Sequence, residues 1–172
     1  MKRDIQVVQD DIIEMKRLIK QTLITDMDIL DALNSEIDID SPDEFLDKNI
    51  FGFLRIPHTQ DTVHNFICIV IDDIEVDRFN EVIKVQNIQL TAICHLDDMK
   101  TDFGIDRHDL LGYLISDLFN WTNIFGLQFK LIYDKESTID SDYYCRTLRF
   151  EANKINGLNK ARMDNPNDKF RR

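Results

Sequence analysis

The run Phe66-Ile-Cys-Ile-Val-Ile71 constrains the fold more than any other stretch of the chain, because four of its six residues are β-branched. Such side chains lose rotamer freedom in a helix and pack well on a pleated surface, and a run this short cannot make a buried helix. A strand covered on both faces is expected, and it needs a sheet around it. The next run alternates, with Ile83 and Val85 in one phase and Ile88, Leu90 and Ala92 in the other. That change of face predicts a β-bulge or a strand crossing near Gln86 and Asn87. Between the two runs, Asp72, Asp73, Glu75, Asp77, Arg78 and Asn80 are too polar for a core and predict a projecting hairpin arm or loop.

Before Phe51 the period is helical. Ile5, Val8, Ile12, Met15 and Ile19 form one stripe on a helix spanning residues 3–22. The seam is heptad-like but too short to establish a coiled coil, so its own domain and a neighbouring subunit are equally good partners for it. Thr25 with Asp28 predicts a cap opening a second short helix through Leu30 and Leu33, with the break near Ile24. Ser41, Pro42 and Glu44 predict another helix of one or two turns through Phe45 and Leu46. Asp106 and Asp109 have N-cap and N3 spacing ahead of Leu110, Leu111, Leu114, Ile115, Leu118 and Phe119, which predicts an amphipathic helix over 107–121. Phe125, Leu127, Phe129, Leu131 and Tyr133 then read as a strand, Asp134 to Asp142 as a polar loop, and Tyr143 to Ala152 as a last strand. The expected fold class is α+β: a mostly antiparallel sheet of about four strands, with an amphipathic helix on one face and N-terminal helices before it. The expected organisation is a helical segment over 1–50, an α+β core over 51–153 and a basic extension over 154–172.

The charge is divided unevenly. The chain of 172 residues has a net charge of −11, yet residues 154–172 hold six basic residues (Lys154, Lys160, Arg162, Lys169, Arg171, Arg172) against two acidic ones. The remaining 153 residues carry 15 basic and 30 acidic side chains, which argues against a body that wraps nucleic acid by neutralising phosphates. Acid of this density either keeps a domain soluble or marks a protein partner. No stretch approaches the length of a membrane span, and the N-terminus lacks an apolar signal core, so a soluble chain without a cleaved signal is expected. Cys68, Cys94 and Cys145 fall in strand-like apolar runs with no CxxC pair, which suits a reducing compartment and neither a disulfide framework nor a structural zinc site.

No motif names a reaction. GxxxxGK[ST], GxGxxG and GxSxG are absent, and five glycines leave little backbone for phosphate cradles. His95, Asp97 and Asp98, followed by Asp106, His108 and Asp109, could hold a divalent ion or act as acid and base. The same residues read more simply as a strand end, a turn and an acidic helix start, so neither catalytic nor metal-binding nor cofactor-binding residues are expected. Asp38 and Asp40, and the acids Asp134, Glu136, Asp140 and Asp142, lack the EF-hand spacing for calcium and read as solvated loops. Trp121 with Phe119 and Phe125 reads as core rather than a base-stacking platform, and Arg146 and Arg149 as either an anion site or partners of nearby acids.

The order of elements carries a resemblance. A leading helix comes first, then a strand pair with a polar excursion, then Ile93-Cys-His-Leu-Asp-Asp98 and Gly104-Ile-Asp-Arg-His-Asp-Leu-Leu111 opening an amphipathic helix. Two strands follow, ending in Tyr143-Tyr-Cys-Arg-Thr-Leu-Arg-Phe150. Over roughly residues 60–153 this layout resembles the tail terminator and tail completion proteins of long-tailed bacteriophages. The resemblance implies a non-enzymatic virion protein of the head–tail junction, assembled in the host cytoplasm. It implies a homo-oligomeric ring, usually of six, that caps the tail tube, joins the head connector and lets DNA through its lumen without sequence-specific binding or membrane contact. Ring contacts are then expected from Asp72, Asp73, Glu75, Asp77 and Arg78 and from Lys160, Arg162, Lys169, Arg171 and Arg172. The alternative is a small acidic inhibitor or immunity-type protein that neutralises a basic partner through Asp72 to Asp77. A metal-dependent enzyme built on His95 and His108 stands third.

Overall fold

The computed structural model describes residues 11–55, 64–76, 83–124 and 127–155, with backbone placement alone for 11, 72–76, 124, 127, 154 and 155. Helix α1 (Asp11–Ile24) presents Met15, Ile19 and Leu23, four residues apart, as a buried stripe against its own domain. Ile12, 40% exposed, stands off that stripe, while Ile5 and Val8 lie outside the described residues. The cap of α2 (Met27–Ala32) is Asp26 rather than Thr25, its carboxylate accepting from Ile29 N at 3.1 Å. Thr25 instead donates its hydroxyl back to Thr22 O, closing α1. A single 3₁₀ turn (Pro42–Phe45) begins at the expected proline, without a side-chain cap from Ser41.

Among the described residues one six-stranded sheet follows. Its strands are β1 (Ile50–Phe51), β2 (Phe66–Val76), β3 (Ile83–His95), β4 (Asn123–Ile124), β5 (Leu127–Thr138) and β6 (Tyr143–Ile155), in the order β1-β2-β3-β6-β5-β4. Every pairing is antiparallel except β1 with β2. The two additional strands are two-residue pieces at the margins, too short to leave a sequence signal. Helix α3 (Arg107–Phe119) crosses from β3 to β4 and, with α1 and α2, covers one face of the sheet.

On that face Ile67 and Ile69, Ile88, Leu90, Ala92 and Cys94, Phe129, and Leu148, Phe150 and Ala152 pack against Leu111, Ile115 and Phe119 of α3 and the stripe of α1. Burial of this kind is the main stabilising term, about 1.5–3 kcal/mol for each large side chain. The opposite face carries a smaller cluster of Phe51, Phe66, Cys68, Ile93, Tyr143 and Cys145, roofed by the Arg55 guanidinium 4.7 Å above the Phe51 ring. The apolar run at Phe66 is thus covered on both sides, as its composition requires. All three cysteines are free and buried, and loss of water pushes the Cys68 and Cys94 thiols up.

Three expectations are corrected. Strand β3 pairs with β6 without a break from Ile83 to His95, so no bulge lies at Gln86. The irregularity is in β2, between Ile71 and Asp73. Gln86 keeps the phase of Ile88 and is fully buried on the helix-covered face, with neither amide atom hydrogen-bonded among the described residues, which is why the run seemed to change sides. Asp134 to Thr138 are not loop but the second half of β5, paired with Leu148 to Tyr144 after a register shift between Leu131 and Tyr133. Trp121 is not core: it is 62% exposed in a left-handed turn (φ 60°), while Phe119 is buried and Phe125 lies outside the described residues.

Candidate functional site

The expected cluster of histidines and acids divides into three parts. His95, ending β3, accepts from Asp97 N through Nδ1 at 3.1 Å and packs edge-on to Tyr143. Asp106 occupies the N-cap position of α3 without capping it. Its carboxylate instead takes a hydrogen bond from Lys100 Nζ at 2.8 Å, which holds that carboxyl below the usual range.

Asp98 belongs to a polar junction that the sequence did not reveal. Its oxygens accept from Asn34 Nδ2 at 2.9 Å, Asn65 Nδ2 at 2.5 Å and Arg107 Nη2 at 3.0 Å. Arg107 is itself buried and donates to Ala32 O, the last carbonyl of α2, at 2.9 Å. The pair fastens α2, the start of β2 and the start of α3 together. A buried guanidinium needs such a partner, so Asp98 is a structural residue and not an isolated turn acid.

The third part gathers on the helix-covered face where α3 meets β5 and β6. Arg146, on β6, grips Asp134 of β5 through Nε at 2.8 Å and Nη2 at 2.7 Å. Its Nη1 reaches Asp109 of α3, at 3.2 Å from the backbone oxygen and 3.3 Å from Oδ1. The Asp134 hydrogen bonds raise the Arg146 pKa further, as pairing a charged donor should. The side chain gets there by passing beneath α3 at Gly112, where a Cβ would press on Arg146 Cδ and stand 2.8 Å from Nε. A mid-helix glycine was therefore the available signal that another group approaches closely. Glu136 and Lys135 complete the lining of the groove. His108, Asp109 and Glu136 bring one ligand atom each to within 4.8 Å of one another. Arg149 projects from the other face of β6, its Nη2 donating to Gln89 at 3.2 Å and its guanidinium 5.5 Å from the Tyr133 ring.

Of the residues expected at ring contacts, Asp72, Asp73 and Glu75 belong to the outer half of β2, with Asp72 at the register shift and Asp73 and Glu75 opposite Asn87 and Val85 of β3. β6 pairs β3 on its other side there, so residues 72–76 are a strand within the sheet and not the expected projecting arm or loop. Asp77 and Arg78, and the basic residues Lys160, Arg162, Lys169, Arg171 and Arg172, lie outside the described residues. Among the described residues no helix is long and apolar enough to cross a membrane.

The margins of the sheet are the other notable surface. Among the described residues the outer side of β2 is paired only at Ile67 and Cys68, by β1. Among the described residues the outer side of β5 is paired only at Leu127 and Gln128, by β4, with Asn120 Oδ1 and Thr122 O accepting from Leu131 N and Phe129 N just beyond. Among the described residues, Ile69 to Val76 on one margin and Tyr133 to Thr138 on the other have no strand beside them.

No curated protein matches the chain. A family model does, over residues 17–152, from α1 to the end of the core on β6. The chain belongs to the YomW family, a phage-derived domain family.

Proposed function

We propose that this protein is a structural component of a tailed-phage virion that forms a ring at the head–tail junction, closing the tail tube and joining it to the head connector. The observation that carries the proposal is the pair of margins on one sheet, Ile69–Val76 on β2 and Tyr133–Thr138 on β5, that have no strand beside them among the described residues. An unpaired strand margin is a template for another chain, and margins that differ in sequence cannot meet by a two-fold axis. They pair head to tail, and a head-to-tail contact closes into a ring when the rotation allows. The phage-derived family and the element order are consistent with this setting. Net acid over residues 1–153 would let DNA pass through a lumen without adhering.

A proline scan through Tyr133 to Thr138 tests the reading. Prolines whose missing N–H pointed toward β6 break the ladder and lower stability, whereas those whose N–H pointed outward should keep the fold and abolish assembly. If every well-folded variant assembled as the parent does, the open margin of β5 would not be the subunit contact.

A further inference from the structure

Beside the groove between α3 and β5 lies a buried histidine with two carboxylates close to one of its ring nitrogens. His108 is the second residue of α3, its side chain only 9% exposed. Its Nδ1 lies 3.1 Å from Met99 Sδ. A thioether sulfur has no hydrogen to donate, so the contact is favourable only with a proton on Nδ1. In the neutral ring Nε2 then presents a bare lone pair. That nitrogen has no hydrogen bond among the described residues and faces Asp109 Oδ1 at 3.8 Å, with Glu136 closing the group.

In that tautomer a lone pair faces two carboxylates, of which Asp109 also accepts from Arg146 Nη1 at 3.3 Å. Arg146 does not satisfy all three. Its Nε and Nη2 are taken by Asp134, and only Nη1 reaches Asp109. Glu136 has no ion pair among the described residues. Three carboxylates around one guanidinium leave negative charge uncompensated beside the imidazole.

We propose that His108, Asp109 and Glu136 bind a divalent transition-metal ion of the zinc or manganese class. One imidazole and two carboxylates suit such ions better than calcium or magnesium, which take oxygen ligands throughout. Ligands on bonds of about 2.0–2.2 Å stand roughly 3–4 Å apart, so the His108–Asp109 spacing already fits, and the exposed Glu136 side chain closes the rest by rotation. Met99 plays the orienting part that a ligating histidine needs at its other nitrogen. The ion would tie the start of α3 to β5. The sequence offered His108 and Asp109 as ion ligands but not Glu136, which lies 27 positions from Asp109 in a stretch that reads as loop.

The test is calorimetric titration of the full chain, with any affinity tag removed, by Zn²⁺ and by Mn²⁺, together with the visible absorption of the Co²⁺ form. One ion per chain is expected, with affinity reduced about tenfold or more in Glu136→Gln. The Co²⁺ spectrum should change in His108→Gln, and Asp38→Asn should match the parent. Glu136 is exposed, so its variant remains informative even if His108→Gln fails to fold. Absence of saturable binding in the folded parent overturns the proposal, and so does binding of undiminished affinity in folded Glu136→Gln.

Discussion

Gly112 shows how a single residue's requirement is set by a neighbour distant in sequence. In a helix interior glycine costs about 1 kcal/mol relative to alanine, so by local propensity Gly112→Ala should stabilise. The stem of Arg146 occupies the space that the new methyl would enter, and Arg146 is held from both sides by Asp109 and Asp134. Gly112→Ala is therefore expected to destabilise, by about 1–3 kcal/mol, through overpacking. In an Arg146→Ala background the same change should be neutral or stabilising. Urea denaturation of the four proteins in this cycle measures the coupling directly. Equal effects of Gly112→Ala in both backgrounds would show that Arg146 does not dictate the glycine. Asp98 teaches a similar lesson, since nothing local distinguishes it from Asp97, yet one is a hub for Arg107 and Asn65 and the other is exposed.

At the scale of elements, legibility followed periodicity. Helix α3 was readable because Leu111, Ile115 and Phe119 recur at four-residue spacing, and the structure makes those three its fully buried line. Leu110, Leu114 and Leu118 flank it, only partly covered. Leu111→Ala should accordingly cost about 2–5 kcal/mol by leaving a cavity, and Leu114→Ala clearly less. Chemical denaturation of the two variants checks the order, and a reversal would mean that α3 is rotated from the orientation described here. The second half of β5 was unreadable for the opposite reason. Asp134 and Glu136 alternate toward the helix-covered face, where a strand of ordinary pattern would carry apolar residues. Only the partner strand, which supplies Arg146 against Asp134, makes that acid compatible with a sheet. β3 misled through Gln86, a polar residue at a position that the phase of Ile88 and Leu90 marks as buried. The short strands β1 and β4 left no pattern because two residues have no period.

For the whole molecule, the proposed ring joins like-charged bodies, because residues 1–153 carry twice as many acidic as basic side chains. A basic segment from Lys160 to Arg172 reaching the adjacent subunit would offset part of that repulsion. Contacts of this kind are screened over a Debye length of about 8 Å at physiological ionic strength, so removing Lys160 to Arg172 should weaken assembly most visibly at low salt. The deletion should leave the fold intact, since among the described residues the core ends with Ala152. The most direct measurement of the central claim is the native mass of the purified full chain across a range of concentration and salt, with the deletion variant beside it. The ring account predicts a closed oligomer of fixed copy number that dissociates on dilution, and a shift toward the monomer in the deletion variant at low salt. A full chain that stays monomeric at every concentration, and enters only one-to-one complexes with a basic partner, would contradict it.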